Sequence, residues 1–131
     1  MAQDYRDLIV WKRAIELTTM IYKLTKTYPT DEQYGLSSQL RRASVSVASN
    51  IAEGRGRLSA AEFRQFLGVA QGSVCELQTQ LIISKSLNLG EAESLRKAES
   101  LSDEVSRMLT SLIQRLTAGV RKKKTAAETR S

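Results

Sequence analysis

The first predicted helix spans residues 7–28 and carries two apolar stripes at helical spacing. One stripe consists of Leu8, Trp11, Ile15, Thr18, Tyr22 and Thr25. The other, beside it, consists of Val10, Ala14, Leu17, Ile21, Leu24 and Tyr28. Two adjoining stripes give more apolar surface than one helix–helix contact needs. Pro29 ends the helix, because the residue before a proline disfavours α geometry.

The second predicted helix runs from a capping box at Thr30 and Gln33 to Gly54. Its core stripe consists of Leu36, Leu40, Ala43, Val47 and Ile51. An adjacent polar stripe consists of Gln39, Arg42, Ser46, Asn50 and Glu53. No charged residue occurs from Ala43 to Ala52, so we expect this helix to be covered on more than one face.

The third predicted helix begins at a capping box of Ser59 and Glu62 and ends near Gly90. Its apolar face consists of Phe63, Phe66, Leu67, Ala70, Val74, Leu77 and Leu81. Gly68 and Gly72 lie inside it, and each costs about 1 kcal/mol relative to alanine. We therefore expect the second helix to approach the third closely at these glycines.

The fourth predicted helix runs from Glu91 to about Thr117. Its inward positions are Leu95, Ala98, Leu101, Val105, Leu109, Leu112 and Leu116. The three connections are only a few residues long, which favours antiparallel neighbours. The predicted fold is all-α, an up-down-up-down antiparallel four-helix bundle formed by residues 1–118.

The net charge of +6 is concentrated near the end of the sequence. Five of the 20 basic residues and one of the 14 acidic residues fall within 119–131, which leaves 15 and 13 elsewhere. We therefore expect 119–131 to form a basic, disordered tail. No apolar run reaches the length of a membrane span, so no membrane partner is expected. A single cysteine fits a reducing, cytoplasmic location.

The absence of histidine from all 131 residues removes the usual general base and the commonest metal ligand. Cys75 has no histidine partner and falls in the middle of a helix, so a buried, inert thiol is predicted. No phosphate-binding glycine loop or dinucleotide motif occurs. We therefore expect no enzymatic activity, no catalytic residue, no metal site and no cofactor.

Basic residues flank the second helix at both ends and recur in the tail. The candidate nucleic-acid-binding residues are Arg41, Arg42, Arg55, Arg57, Arg121, Lys122, Lys123 and Lys124. Neither group is interleaved with aromatic residues, so phosphate contacts are expected and base-specific readout is not. Solvated surface charge and a solubilising tail are the alternatives.

The polar stripe of the second helix, together with a glutamate of the third, predicts a structural network within or between bundles. Its members are Gln39, Ser46, Asn50, Glu53 and Glu76. Buried polar groups need partners, so Glu53 or Glu76 would pair with an arginine such as Arg42. The alternative is a binding groove lined by the same stripe.

Several motifs follow one another in order between residues 5 and 90. The strongest is Gln39-Leu40-Arg41-Arg42-Ala43, followed by Ser46 and Asn50-Ile51-Ala52-Glu53-Gly54. Others are Asp7-Leu8-Ile9-Val10-Trp11 with Ala14, then Pro29, Glu32, Gly35-Leu36, and finally Phe63, Phe66-Leu67, Ala70, Gly72-Ser73 and Glu76-Leu77. This order resembles the four-helix bundle family whose members are encoded in 23S rRNA intervening sequences.

The resemblance implies a homopentamer of four-helix protomers. The family is also similar to the accessory proteins of diversity-generating retroelements, which are pentameric barrels that bind nucleic acid and a reverse transcriptase. The leading hypothesis is a non-enzymatic homo-oligomeric bundle that binds RNA or other nucleic acid through phosphate contacts. The alternative is a protein–protein interaction scaffold without nucleic-acid binding. A small-molecule site has no cluster of residues to support it.

Overall fold

The computed structural model describes residues 4–33 and 35–130 and contains four α-helices. These are α1 (Ile9–Thr25), α2 (Leu36–Arg55), α3 (Ala60–Ser86) and α4 (Ala92–Arg130). Short 3-10 turns occupy Tyr5–Asp7 and Thr30–Glu32, and no strand occurs in the described ranges. The prediction of an all-α fold with four helices is confirmed. Within those ranges, no helix has the combination of length and apolarity needed to cross a membrane.

Each helix packs against two others: α1 and α3 both contact α2 and α4. Side-chain hydrogen bonds join the helices. The Thr18 hydroxyl on α1 donates to the Ser44 carbonyl oxygen on α2 over 3.1 Å. The Gln71 amide on α3 donates to the Thr110 hydroxyl on α4 over 2.7 Å. Consecutive helices are therefore neighbours, and the last helix returns to the first.

The core contains the predicted stripe of α2, most of the predicted stripes of α3 and α4, and one of the two stripes of α1. Phe66, Leu112 and Leu116 are only half-buried. The fully buried large side chains of the core include Leu17, Ile21, Leu40, Ile51, Leu67, Leu77, Leu81 and Leu109. The other α1 stripe is only partly covered. Ile15 is 40% and Tyr22 is 39% exposed, whereas Thr25 is buried and Leu8 and Trp11 pack against the core.

The predicted start of α2 is wrong by a full turn. Residues 30–32 form a 3-10 turn, and α2 begins at Leu36, after Gly35. Glu32 takes the capping role, because its Oε2 accepts the Leu36 backbone N–H over 3.2 Å. Pro29 is extended, with φ −56° and ψ 149°, which separates the end of α1 from the new helix.

The predicted close approach at Gly68 and Gly72 is also wrong. A Cβ placed on either glycine would meet no atom within 4 Å, since both lie on the outer face of α3. The close approach of α2 and α3 occurs at Gly54 instead. A Cβ there would lie 2.6 Å from the Cβ of Phe66.

The fourth helix is longer than predicted, and the segment expected to be a disordered tail is helical through Arg130. Lysine, arginine and alanine have high helix propensity, and no proline follows Pro29. Extending a helix that is already formed avoids the cost of nucleation. Described side chains from Ala118 onward are exposed, so this part of α4 does not contribute to the core.

Candidate nucleic-acid interface

The predicted arginines of α2 lie in two separate places. Arg41 and Arg42 belong to its second turn, whereas Arg55 is its last residue and Arg57 follows it. At 1.5 Å of rise per residue, Arg42 and Arg55 are about 20 Å apart along the helix axis. The structure therefore does not bring the four arginines into one site.

Arg41 and Arg42 line a surface groove between α1 and α2, with a volume of about 700 Å³. We call it the α1–α2 groove, and its lining residues are Tyr22, Gln33, Ser38, Arg41, Arg42, Val45 and Ser46. No carboxylate is among the described residues that line it. Among its described lining residues, the groove therefore has two arginines and one aromatic ring, that of Tyr22.

Arg41 is held in a fixed position by two contacts with α1. Its Nε–H donates to the Thr25 hydroxyl over 2.8 Å, and its guanidinium carbon lies over the Tyr22 ring, 4.7 Å from the centroid. The Thr25 hydroxyl in turn donates to the Ile21 carbonyl oxygen over 2.7 Å. Neither Nη group of Arg41 has a partner within the described residues, so both remain available as donors.

Tyr22 is the residue that sequence reasoning missed. Its helical spacing places it in an apolar stripe, and along the chain the basic residues are not interleaved with aromatic ones. The signal was the position of the turn: Tyr22 and Arg41 are almost equidistant along the chain from the turn at Thr30–Glu32. In a hairpin of two helices, such residues face one another.

Arg42 is exposed and also lines a second depression of about 470 Å³ on the other side of α2. The other residues there are Gln39, Ala43, Ser46 and Glu76. Arg42 makes no hydrogen bond or ion pair with any described residue. It therefore lies between two depressions with its charge free.

The predicted polar network is only partly assembled. The Ser46 and Ser73 hydroxyls are 2.8 Å apart, and the Asn50 amide donates to the Ser46 carbonyl oxygen over 2.8 Å and to its hydroxyl over 3.0 Å. The Glu76 carboxylate accepts from the Gln80 amide over 3.3 Å. Gln39 is exposed and joins none of these bonds. The network thus links α2 to α3 through serines and contains no arginine, whereas Glu53 lies outside it and pairs with Arg57.

Arg57 and Arg55 lie at the α2–α3 turn, and of the two only Arg57 pairs with a described carboxylate. Arg57 pairs with Glu53 over 2.9 Å, and its guanidinium carbon lies 4.6 Å from the Phe66 ring centroid. Arg55 lies over the Phe63 ring at 5.8 Å. An exposed pair of this kind contributes only roughly 0.3–0.5 kcal/mol to the stability of the fold. Its main effect is that the Glu53 carboxylate offsets the positive charge of Arg57.

The basic segment of α4 is displayed on a helix. Arg121 and Lys122 are exposed. The backbone of Lys123 and Lys124 is helical, but their side chains lie outside the described part of the structure. This helical segment presents charge beyond the core and is a second candidate contact.

A further groove of about 510 Å³ lies between the start of α1 and α4. Its apolar floor includes Leu8, Met108 and Leu112, and Arg107 and Arg115 lie on its α4 side. Ile9 also lines it and is 66% exposed. Sequence reasoning missed this groove because it depends on the contact between α1 and α4.

The described residues hold no cluster of three histidine, cysteine or carboxylate side chains that could bind a metal ion. Cys75 was predicted to be buried, but it is exposed. It lies on the outer face of α3, one residue away from the core position Val74.

Comparison with known protein families gives a match over residues 6–111 to the model of the 23S rRNA-intervening sequence protein. The chain belongs to this family. The match contains the α1–α2 groove and the α2–α3 turn and ends before the basic segment at residues 121–124. No curated protein sequence matches the chain.

One solved structure of another protein has a fold similar to that of this chain. It is the 1.70 Å crystal structure of a protein of unknown function from the S23 ribosomal protein family of Bacteroides thetaiotaomicron VPI-5482. The two share 23% sequence identity with a TM-score of 0.72, over 80% of this chain and 98% of the other. At this identity the likeness supports the fold alone.

Proposed function

We propose that this member of the 23S rRNA-intervening sequence protein family binds RNA or other nucleic acid through phosphate contacts and is not an enzyme. The observation that carries the proposal is the α1–α2 groove. It holds two arginines without a carboxylate among its described lining residues, and Arg41 is already oriented by Tyr22 and Thr25. An oriented cation loses less side-chain entropy when a phosphate binds.

The remaining predicted residues differ in what they can add. Arg57 is paired with Glu53, so we expect it to contribute little to phosphate binding. Arg121 and Lys122 are exposed on α4, and with Lys123 and Lys124 they supply long-range attraction for a polyanion. The groove would then fix where the strand lies, and the α4 segment would raise the rate of encounter.

The test is an equilibrium titration of a fluorescently labelled single-stranded RNA at several salt concentrations. Each phosphate neutralised on a single strand contributes about −0.7 to the slope of log affinity against log salt. Arg42→Gln should lower the affinity at low salt and reduce the magnitude of that slope by about 0.7. Arg42 makes no bond to a described residue, so this change should not affect folding.

Lys12→Gln is the matched control, because it removes one exposed cation from α1 outside the groove. It should leave the salt slope unchanged. Equal effects of the two variants would show that only the overall charge matters. Undetectable binding by the unaltered protein at low salt would overturn the proposal.

We further propose that protomers with up-down-up-down topology assemble into a homo-oligomer, a homopentamer as the family resemblance implies. Two hydrogen bonds between α1 and α2 support the topology. Thr18 bonds to Ser44 and Thr25 to Arg41, so the residue numbers rise along α1 as they fall along α2, as in antiparallel helices. The outer face of α3 supports assembly. It exposes Val69, Ile82 and Ile83, at 51%, 61% and 42%, and it also carries Gly68 and Gly72.

The alternative function, a protein-interaction scaffold, is favoured by the α1–α4 groove. Its apolar floor and the exposed Ile9 suit a partner helix more than a phosphate chain. An assembled protein without affinity for nucleic acid at low salt would favour this alternative.

A further inference from the structure

We infer that the α1–α2 groove binds an unpaired nucleotide of a single strand, with the base stacked on the Arg41 guanidinium and a phosphate beside Arg42. This inference rests on the proposed nucleic-acid binding and deepens it. It changes the expected ligand from any polyanion to a strand whose bases are accessible. The chemistry is common to RNA and DNA.

The first support is the surface formed by Arg41 and Tyr22, in which two contacts orient the guanidinium. A guanidinium is planar and stacks on aromatic faces, and Tyr22 already lies on one side of it at 4.7 Å. The bond from Nε to Thr25 limits rotation of the plane. Arg41 and Tyr22 both line the groove, so the pair forms part of its wall.

The second support is the size and chemistry of the groove. Its volume of about 700 Å³ lies within the range of about 300–1,000 Å³ that is typical of small-ligand sites. Val45, which is 41% exposed, offers an apolar contact, and Gln33 and Ser38 offer both donors and acceptors. Because these groups can pair with several base edges, we expect little sequence preference.

The third support is that stacking on Arg41 distinguishes a single strand from a duplex, which a contact between a cation and a phosphate does not. Phosphate contacts alone give no preference for a single strand, because a duplex has the higher charge density along its axis. A base can stack on a protein surface only after it has left the duplex stack, where both of its faces are covered. The Arg41–Tyr22 surface therefore predicts a preference for single strands, which Arg42 and the α4 segment do not.

The decisive variant is Arg41→Lys, which keeps the charge and loses the plane. Titrations would use a single-stranded oligonucleotide carrying 2-aminopurine and the duplex formed with its complement. Arg41→Lys and Tyr22→Leu should each lower the single-strand affinity about tenfold, with the salt slope and duplex affinity unchanged. Tyr22→Phe keeps the ring and is the control, with affinity expected to stay within about twofold.

Stacking also quenches 2-aminopurine emission, so the unaltered protein and Tyr22→Phe should quench it and Arg41→Lys should not. Equal affinity of the unaltered protein for single strand and duplex, or normal single-strand affinity of Arg41→Lys, would overturn the inference and leave phosphate binding intact. Absence of any binding at low salt would overturn both proposals. The same titration with RNA and DNA strands shows whether the ribose 2′-hydroxyl contributes.

Discussion

Gly54 shows how a single missing side chain sets the distance between two helices. A Cβ on this residue would lie 2.6 Å from the Phe66 Cβ and 3.1 Å from Phe63 Cδ1. The nearest obstacle is attached directly to the α3 backbone, so α2 and α3 would have to move apart. We expect Gly54→Ala to lower the free energy of unfolding by about 1–3 kcal/mol, measured by urea denaturation.

Gly56→Ala is the control for this prediction. Gly56 has φ −79°, which any residue adopts, and the nearest atom to its added Cβ is 3.5 Å away. Its unfolding free energy should stay within about 0.5 kcal/mol of the parent value. Equal stability of the two variants would contradict the close approach at Gly54.

The individual core positions were predictable, and contacts between helices were not. Leu40, Val47 and Ile51 are buried as predicted, because helical periodicity alone places them on one face. The Arg41–Tyr22 contact depends on the register of α1 against α2. That register follows from the 3-10 turn at residues 30–32, where the sequence predicted a helix start.

At the scale of elements, the two predicted capping boxes, at Thr30 and at Ser59, have different structures. Ser59 is extended, and its hydroxyl accepts the Glu62 backbone N–H over 3.1 Å, as predicted. Thr30 forms no such bond, because it lies inside a 3-10 turn after Pro29. The pattern identifies a possible cap, and only the path of the preceding chain decides whether a helix begins there.

Ser59→Ala should therefore lower the free energy of unfolding by about 1 kcal/mol. Thr30→Ala serves as its matched control and should change that value by less than about 0.5 kcal/mol. Urea midpoints compared at one protein concentration measure both. A larger loss for Thr30→Ala than for Ser59→Ala would mean that α2 begins earlier than described.

Among the helices, α4 has the end that was hardest to predict from the sequence. Its apolar pattern fades after Leu116, and the run of like charges that follows is typical of disorder. Helix propensity and a preformed helix outweigh that repulsion through Arg130. The periodicity of apolar residues reports which positions are buried. It therefore cannot predict a helical segment that extends past the core.

At the scale of the whole molecule, the residues on the outer face of α3 have no role in the packing of a single protomer. Two glycines inside a helix each cost about 1 kcal/mol relative to alanine, yet both face open space. Exposed Ile82 and Ile83 lie on the same side of α3 as these glycines, by the 3.6-residue helical repeat. A second copy packed closely against α3 would use the glycines and cover the apolar side chains.

Gly72→Leu tests this assembly, because a Cβ at this position meets no atom of its own protomer within 4 Å. Light scattering should show a multiple of 14.6 kDa for the unaltered protein and a smaller mass for the variant. Gly119→Leu is the matched control, since Gly119 is also helical with nothing within 4 Å, and lies on α4. Its mass should not change. If the unaltered protein is already a monomer, the α3 face is not an interface between copies, and its glycines need another explanation.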